Sequence, residues 1–281
     1  MKCDDNIGSA ELLKKYGHRY KKKWGQNFIF DKNLLRKIAQ SANILPGDTV
    51  IEIGPGAGNL TKAILDEGAK VIAIEIDPDL VLILRDILPE ENTFIISGDV
   101  LNIDLDELVR RKGCKYPYKI IANLPYYITS PIIMHILEKE FKFDEMVVMV
   151  QWEVAQRLTA RPGTKDYGAI TLAVDYYTES KMLFKVPRHL FTPSPNVDSA
   201  VIALRRRAIP PIETKDKSLM FAIIKAAFNQ RRKTLLNALG AVSPEKDRHS
   251  LKEVLKRAGV DEKRRGETLS IEEFGRLAAE W

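Results

Sequence analysis

Four β-rich runs in the first half of the chain end on or next to residues able to hold a ligand. They are TVIEIG (49–54), KVIAIE (70–75), TFIISG (93–98) and YKIIAN (118–123), and the residues are Gly54, Glu75, Asp99 and Asn123. The last opens NLPYYITSP (123–131), an amide, a proline and two tyrosines where a buried strand needs only to turn. An amine attached to an aromatic base or a carbonyl is a poor nucleophile because its lone pair is delocalised, and acceptors around it draw that pair out of conjugation. The side-chain oxygen of Asn123 and the carbonyl of Leu124 suit its two hydrogens. Pro125 fixes the turn and Tyr126 offers an aromatic face for stacking. The lone pair then points at a methyl donor, and proximity and hydrogen-bond electrostatics carry the step without a tuned base. The alternative is a plain turn.

The donor site is read from the other three strand ends. In IEIGPGAGNLT (51–61), Gly54, Gly56 and Gly58 permit positive φ and a close backbone approach where an open α/β sheet binds ligands. The position that a dinucleotide fingerprint gives to its third glycine is Asn59, which disfavours NAD and leaves a nucleotide-like ligand or a tight strand-to-helix turn. Glu75 follows Gly54 by 21 positions, near the ~20-residue offset at which an acid meets a ribose. It competes with a capping role that Asp77, ahead of Pro78, fits better. Asp99 suits an adenine amine and the Val100 N–H a ring nitrogen, or Asp99 is an ordinary turn residue.

The elements that must position these residues alternate. Between the four runs and a fifth, EMVVMV (145–150), lie amphipathic stretches near 59–67, 78–88, 104–112 and 130–140. Continuous apolar strands separated by helices predict a doubly wound α/β core with a parallel sheet covered on both faces. GAITLAVDYY (168–177) and SAVIALRRR (199–207) read as two further strands forming an antiparallel end, closed by Pro210-Pro211. From about Lys215 the pattern is helical, with Leu235, Leu236 and Leu239 at helix spacing. The expected division is a basic N-terminal extension (1–24), mobile at its start, an α/β domain (25–209) and a small all-helical domain (210–281).

At 281 residues and 45% hydrophobic content the chain can bury a large and a small domain. Cys3 and Cys114 are isolated, and His18, His135, His189 and His249 lack ligand spacing, so neither a disulfide framework nor a metal is expected. Without an apolar run of about 18 residues or an N-terminal apolar h-region, the protein reads as soluble and cytoplasmic, with no membrane partner. The net charge is +6, concentrated in RYKKK (19–23), RRR (205–207), RRK (231–233) and KRR (263–265). Such clusters suit a phosphate backbone, with Arg205, Arg206, Arg231, Arg232 and Lys233 as candidate contacts, or are solvated faces.

From about Trp24 to Trp281 the chain resembles the KsgA family of ribosomal RNA small-subunit adenine dimethyltransferases. The motifs are GQNF (25–28), IEIGPGAGNLT, IEIDPDL (74–80), GDV (98–100), NLPYYITSP, PGTKDYGAI (162–170), FTPSPNVDSAV (191–201) and FNQRRKTLLNAL (228–239). The resemblance implies a Rossmann-like methyltransferase fold and S-adenosylmethionine as cofactor, contacted by Gln26, Asn27, Ile29, Gly54, Glu75, Asp99 and Asn123. It also implies a target base between Tyr126 and Phe191. The implied product is N6,N6-dimethyladenosine at two adjacent adenosines near the 3′ end of 16S rRNA, made by a monomer on the immature small subunit. Three features depart from the family pattern: Ile29 replaces Leu, Trp152 replaces a basic residue, and the tail before Trp24 is longer than many. The competing expectations are a 23S rRNA methyltransferase of the erythromycin-resistance type and a non-catalytic small-subunit assembly factor. NLPYYIT, TKDYGAI and FNQRRKTLLNAL weigh against the former. Keeping Gly54, Glu75, Asp99 and Asn123 together weighs against the latter.

Overall fold

In a computed structural model, residues 24–240 and 247–281 are described, together with Leu13, residues 15–18, Lys21 and Val242. Most of the basic run 19–23 and the start of the N-terminal extension lie outside the described residues. The first elements are β1 (Phe28–Ile29), α1 (Lys32–Ser41), β2 (Thr49–Ile53), α2 (Asn59–Asp66), β3 (Lys70–Glu75), α3 (Pro78–Ile87) and β4 (Thr93–Ser97). Next come α4 (Leu105–Arg111), β5 (Tyr118–Asn123), α5 (Thr129–Glu138), β6 (Phe143–Gln151), α6 (Trp152–Leu158) and α7 (Ala169–Tyr177). The rest are β7 (Thr178–Val186), β8 (Phe191–Thr192), β9 (Ser199–Arg206), α8 (Lys217–Asn229), α9 (Leu235–Leu239), α10 (Arg248–Arg257) and α11 (Ile271–Ala279). Helix starts follow side-chain chemistry: Asp31, Asp77, Asp104, Asp216 and Asp247 each accept a first-turn N–H that has no partner within its helix.

Seven strands form one sheet in the order β4-β3-β2-β5-β6-β9-β7. The pairings from β4 through β6 are parallel, and β9 runs antiparallel to β6. β2 is buried along its whole length, as a strand covered on both faces must be. The chain leaves β2 for β3 and β4, then crosses back to β5. That reversal opens a crevice beyond the carboxyl ends of β2 and β5, where an open α/β sheet takes its ligand. A separate two-stranded ladder pairs β1 with β8, Phe28 opposite Thr192 and Ile29 opposite Phe191.

One expected strand is not a strand. GAITLAVDYY is helix α7, and the strand beside β9 is the more polar β7 that follows it. Thr171, Leu172, Ala173, Val174 and Tyr176 are all buried, so apolar residues stand nearly all round the helix and the run carries no period to separate helix from strand. The Gly168 N–H donates to the Thr171 hydroxyl at 3.0 Å and fixes the helix start.

The chain divides into two compact units, one of residues 1–155 and 181–206, the other of residues 156–180 and 207–281. The helical unit is therefore built from two stretches of chain. Its core gathers Leu172, Ile224, Leu235, Leu239 and Phe274, and the Tyr167 hydroxyl donates to the Leu269 carbonyl at 2.9 Å. Gly266 lets the backbone approach α8 closely: a Cβ there would stand 2.6 Å from the Ala227 Cβ and 3.3 Å from its carbonyl carbon. Gly266→Ala must push α8 away and is expected to cost about 1–3 kcal/mol, the range for overpacking a filled core. Denaturant unfolding checks this; a wild-type midpoint would contradict the close approach.

Candidate active site

The carboxyl ends of β2, β3 and β5 frame an open cleft of about 790 Å³, lined chiefly by residues 24–29, 54–57 and 123–126 with Glu52, Asn59 and Glu75. Gly54, Gly56 and Gly58 have φ of 68°, 59° and 75°, a region costly to residues with a Cβ. Their surroundings differ. A Cβ on Gly56 would stand 2.9 Å from the Phe28 ring and one on Gly58 3.1 Å from Leu84, whereas one on Gly54 would meet no protein atom within 4 Å. Of the three, only Gly54 leaves its side of the backbone open, and it lines the cleft. Asn59, which breaks the dinucleotide pattern, donates from Nδ2 to the Ile29 carbonyl at 2.7 Å and ties segment 25–29 to the glycine turn.

Three acids near the cleft are set apart by their partners. Asp77 is buried; burial pushes its carboxyl up, but hydrogen bonds from Lys21 at 2.7 Å and Gln26 at 2.8 Å more than offset this and hold it below its ordinary range. Its other duty is the expected cap, accepting the Asp79 N–H. Glu75, also buried, accepts from the Gly56 N–H at 3.1 Å and the Asp77 N–H at 2.9 Å, one on each oxygen. Burial raises its pKa against those two bonds. Each oxygen keeps acceptor capacity for another donor.

Glu52 was not picked out by sequence reasoning. It lies inside β2, opposite Ala73 and Ile121, is 1% exposed, and its Oε2 has no hydrogen-bond partner. Burial pushes its carboxyl up to about 8, Thr61 opposing and the Glu75 charge adding to the rise. The available signal was one carboxylate in an otherwise apolar run directly before a glycine turn. A buried acid lining a cleft with one oxygen left without a hydrogen bond is costly and suits a cationic ligand group.

Asn123 ends β5, and its Nδ2 donates to the Asn27 carbonyl at 2.9 Å. A carbonyl only accepts, so the amide nitrogen must face Asn27, which leaves Oδ1 to accept. Leu124 is buried and its N–H donates to the Met149 carbonyl at 3.1 Å, while the Pro125 carbonyl accepts from the Thr129 hydroxyl at 3.0 Å. The turn after β5 is therefore held on both sides. The Tyr126 ring lines the cleft and its hydroxyl shares a 2.6 Å hydrogen bond with Ser199. Gln26 and Asn27 line the cleft as well, with Gln26 Oε1 accepting the Lys21 N–H at 2.9 Å.

Other expected residues lie elsewhere. Asp99 caps the short turn Val100–Asn102 by accepting the Leu101 N–H at 3.0 Å, Val100 is buried, and neither lines the cleft. They follow Ser97, which stands opposite Glu75 in the β3–β4 ladder, and so share the carboxyl edge of the sheet. Phe191 is 3% exposed in the core with Ile29 and Leu35 and does not line the cleft. Among the basic candidates, Arg205, Arg231, Arg232 and Lys233 are exposed. Arg206 donates to the carbonyls of Glu140 and Phe141. Arg231 pairs with Glu267 at 3.0 Å and donates to the carbonyls of Lys165 and Tyr167. The RRK cluster sits in the turn between α8 and α9, not on a helix.

This sheet order, with the glycine turn, Glu75 and Asn123 on one edge, defines a Rossmann-like methyltransferase. A sequence model of the family described as "Ribosomal RNA adenine dimethylase" matches residues 17–276. The chain belongs to that family. It is 48% identical over 271 residues to the ribosomal RNA small subunit methyltransferase A of Clostridioides difficile, covering 96% of this chain and 93% of the relative. It is 48% identical over 273 residues to the protein of that name from Moorella thermoacetica, covering 95% and 94%. Among solved structures, a dimethyladenosine transferase from Plasmodium falciparum matches with TM-score 0.74 and 25% identity, covering 89% of this chain and 95% of that one. The 23S rRNA methyltransferase ErmE matches with TM-score 0.67 and 27% identity, covering 90% and 98%.

The Glu52 environment predicts a pH dependence. Its folded pKa of about 8 stands above the ordinary 4.5, so the empty folded protein keeps a proton that the unfolded chain releases. That contribution to stability is fully present below about 4.5 and is lost as pH rises to about 8. Against Glu52→Gln, which has no such proton, the wild type is expected to lose stability between pH 5 and 8 and then run level. Denaturant unfolding of both across that range checks it; parallel curves would contradict it.

Proposed function

We propose that the protein is an S-adenosylmethionine-dependent dimethyltransferase that modifies N6 of two adjacent adenosines near the 3′ end of 16S rRNA, acting as a monomer on the immature small ribosomal subunit. The observation that carries this reading is the orientation of Asn123, whose amide nitrogen is held on the Asn27 carbonyl at 2.9 Å so that Oδ1 is available to an exocyclic amine. The 48% identity to relatives named for the small subunit supports that RNA over the 23S substrate in the name of the structure at 27%.

The cleft residues fit the cofactor. Gly54 leaves backbone open to it, Glu75 has acceptor capacity for ribose hydroxyls, and the unpartnered Glu52 Oε2 suits a cationic amino group. Gln26, Asn27, Ile29, Gly56 and Asn123 would complete its surroundings, with Asp99 and Val100 beyond them on the same sheet edge. When bound, the cofactor supplies an electrophilic methyl group. The protein's own contribution is to hold the acceptor. Asn123 Oδ1 and the Leu124 carbonyl take the amine hydrogens and free the lone pair, Pro125 fixes the turn, and Tyr126 stacks on the base. Phe191, opposite Ile29 in the β1–β8 ladder, supports the segment that carries Asn27. The surplus amine proton leaves to solvent.

Arg205, Arg232 and Lys233 meet phosphate in this reading, while Arg206 and Arg231, which donate to backbone carbonyls, shape the chain around them. Incubation with labelled cofactor and undermethylated small subunits, followed by mass spectrometry of the RNA, is expected to show two neighbouring N6,N6-dimethyladenosines in 16S rRNA. Label confined to 23S rRNA in whole ribosomes would assign the erythromycin-resistance type, and tight subunit binding without label would leave an assembly factor.

A further inference from the structure

The α/β unit carries a second cavity, an open hollow of about 860 Å³ whose walls include Gln151, Trp152, Arg188, Asn196, Val197 and Asp198. Its lining is linked to Tyr126, which lines the first cleft, through Ser199. Ser199, whose hydroxyl bonds Tyr126 at 2.6 Å, stands opposite Gln151 in the β6–β9 ladder and directly follows Asp198. The wall is held in place. The Trp152 N–H donates to the Asp198 carbonyl at 2.9 Å, and the Arg188 N–H donates to Asp198 Oδ1 at 3.0 Å. Arg188 Nη1 reaches the Asn196 carbonyl at 3.2 Å, and the Ser194 hydroxyl donates to the Arg188 carbonyl at 2.9 Å. Lys185 Nζ lies 2.8 Å from Asp198 and 5.2 Å from the centre of the Trp152 ring.

The cavity therefore combines an indole, two carboxamides and an exposed Val197. A carboxamide offers one donor and one acceptor side by side, the complement of the adenine N6/N7 edge. Indole faces hold bases of any sequence by stacking. Arg188 and Lys185 are balanced by Asp198 and Glu153, so the hollow has no net charge to draw a free anion and is suited to a neutral base edge.

We propose that this cavity is a subsite for the nucleotide flanking the target, an adenine-bearing one stacked on Trp152. The proposal rests on the reading of Tyr126 as the platform for the target base. It gives the second of two adjacent adenosines a place while the first is in the cleft, and it makes Trp152 a specificity-determining residue.

The test labels the protein with 5-fluorotryptophan and assigns its three fluorine resonances, for Trp24, Trp152 and Trp281, with Trp152→Phe. Titration with the dinucleotide ApA is expected to move the Trp152 resonance saturably and further than UpU does. In single-turnover methylation of undermethylated small subunits, Trp152→Ala is expected to raise the half-saturating subunit concentration roughly 5- to 150-fold, the worth of one stacked base. Its maximal rate is expected to stay within about twofold, and Trp152→Phe to recover most of the loss. A Trp152 resonance that ignores ApA, or a folded Trp152→Ala protein with wild-type half-saturation, overturns the subsite even where the wild type methylates the subunit. A wild type that methylates no small subunits removes the parent reading, and the subsite with it.

Discussion

The hydrogen bond from Asn123 Nδ2 to the Asn27 carbonyl joins residues 96 positions apart and decides which end of a carboxamide faces the cleft. The rest of the site exists to keep both ends of that bond in place. Asn123 is the last residue of a strand held between β2 and β6, so its position is as rigid as the sheet. Asn27 belongs to a segment with little secondary structure of its own, and that segment is fastened at three points. Gln26 bonds Asp77, Asn59 bonds the Ile29 carbonyl, and β1 pairs with β8. In the proposed reading, loss of any of these is expected to let Asn27 drift and free the amide to turn, at a cost to the positioning of the acceptor.

The electrostatics of the cleft follow the same division between structure and ligand. Asp77 is buried with a lysine and a glutamine amide on it, and it acts as a clip. Glu75 has only backbone donors, and Glu52 Oε2 has none. Two buried acids on adjacent strands, both pushed toward protonation, are an arrangement that folding alone does not favour. In the proposed reading a cationic ligand group would reverse that preference. The glycine turn divides similarly: Gly56 and Gly58 are filled against Phe28 and Leu84, and only Gly54 is open.

The parallel strands were legible because burial on both faces leaves continuous apolar runs between helices. The residues at their ends stood out because glycine, acid or amide interrupts such a run where the strand stops, and the structure sets Gly54, Glu75 and Asn123 around one cleft. GAITLAVDYY failed by the same logic: a helix buried nearly all round is as continuously apolar as a buried strand, and nothing in the run carries a period. With that segment misread, the second stretch of chain that completes the helical unit stayed hidden. Glu52 was missed because a lone acid inside an apolar run was absorbed into the strand pattern. Asn59 was seen only as the residue that spoils a fingerprint, although its amide is what fastens Ile29. Arg231 shows the limit of charge counting, since three backbone and side-chain acceptors engage it in ways no spacing rule reveals.

Single-turnover methylation of undermethylated small subunits at saturating S-adenosylmethionine, comparing wild type with Asn123→Ala, tests the central claim most directly. Removing one preorganised group is expected to lower the rate by about 10²–10³-fold, with a much smaller loss of cofactor affinity by calorimetry. A folded Asn123→Ala protein that turns over at the wild-type rate would contradict the account.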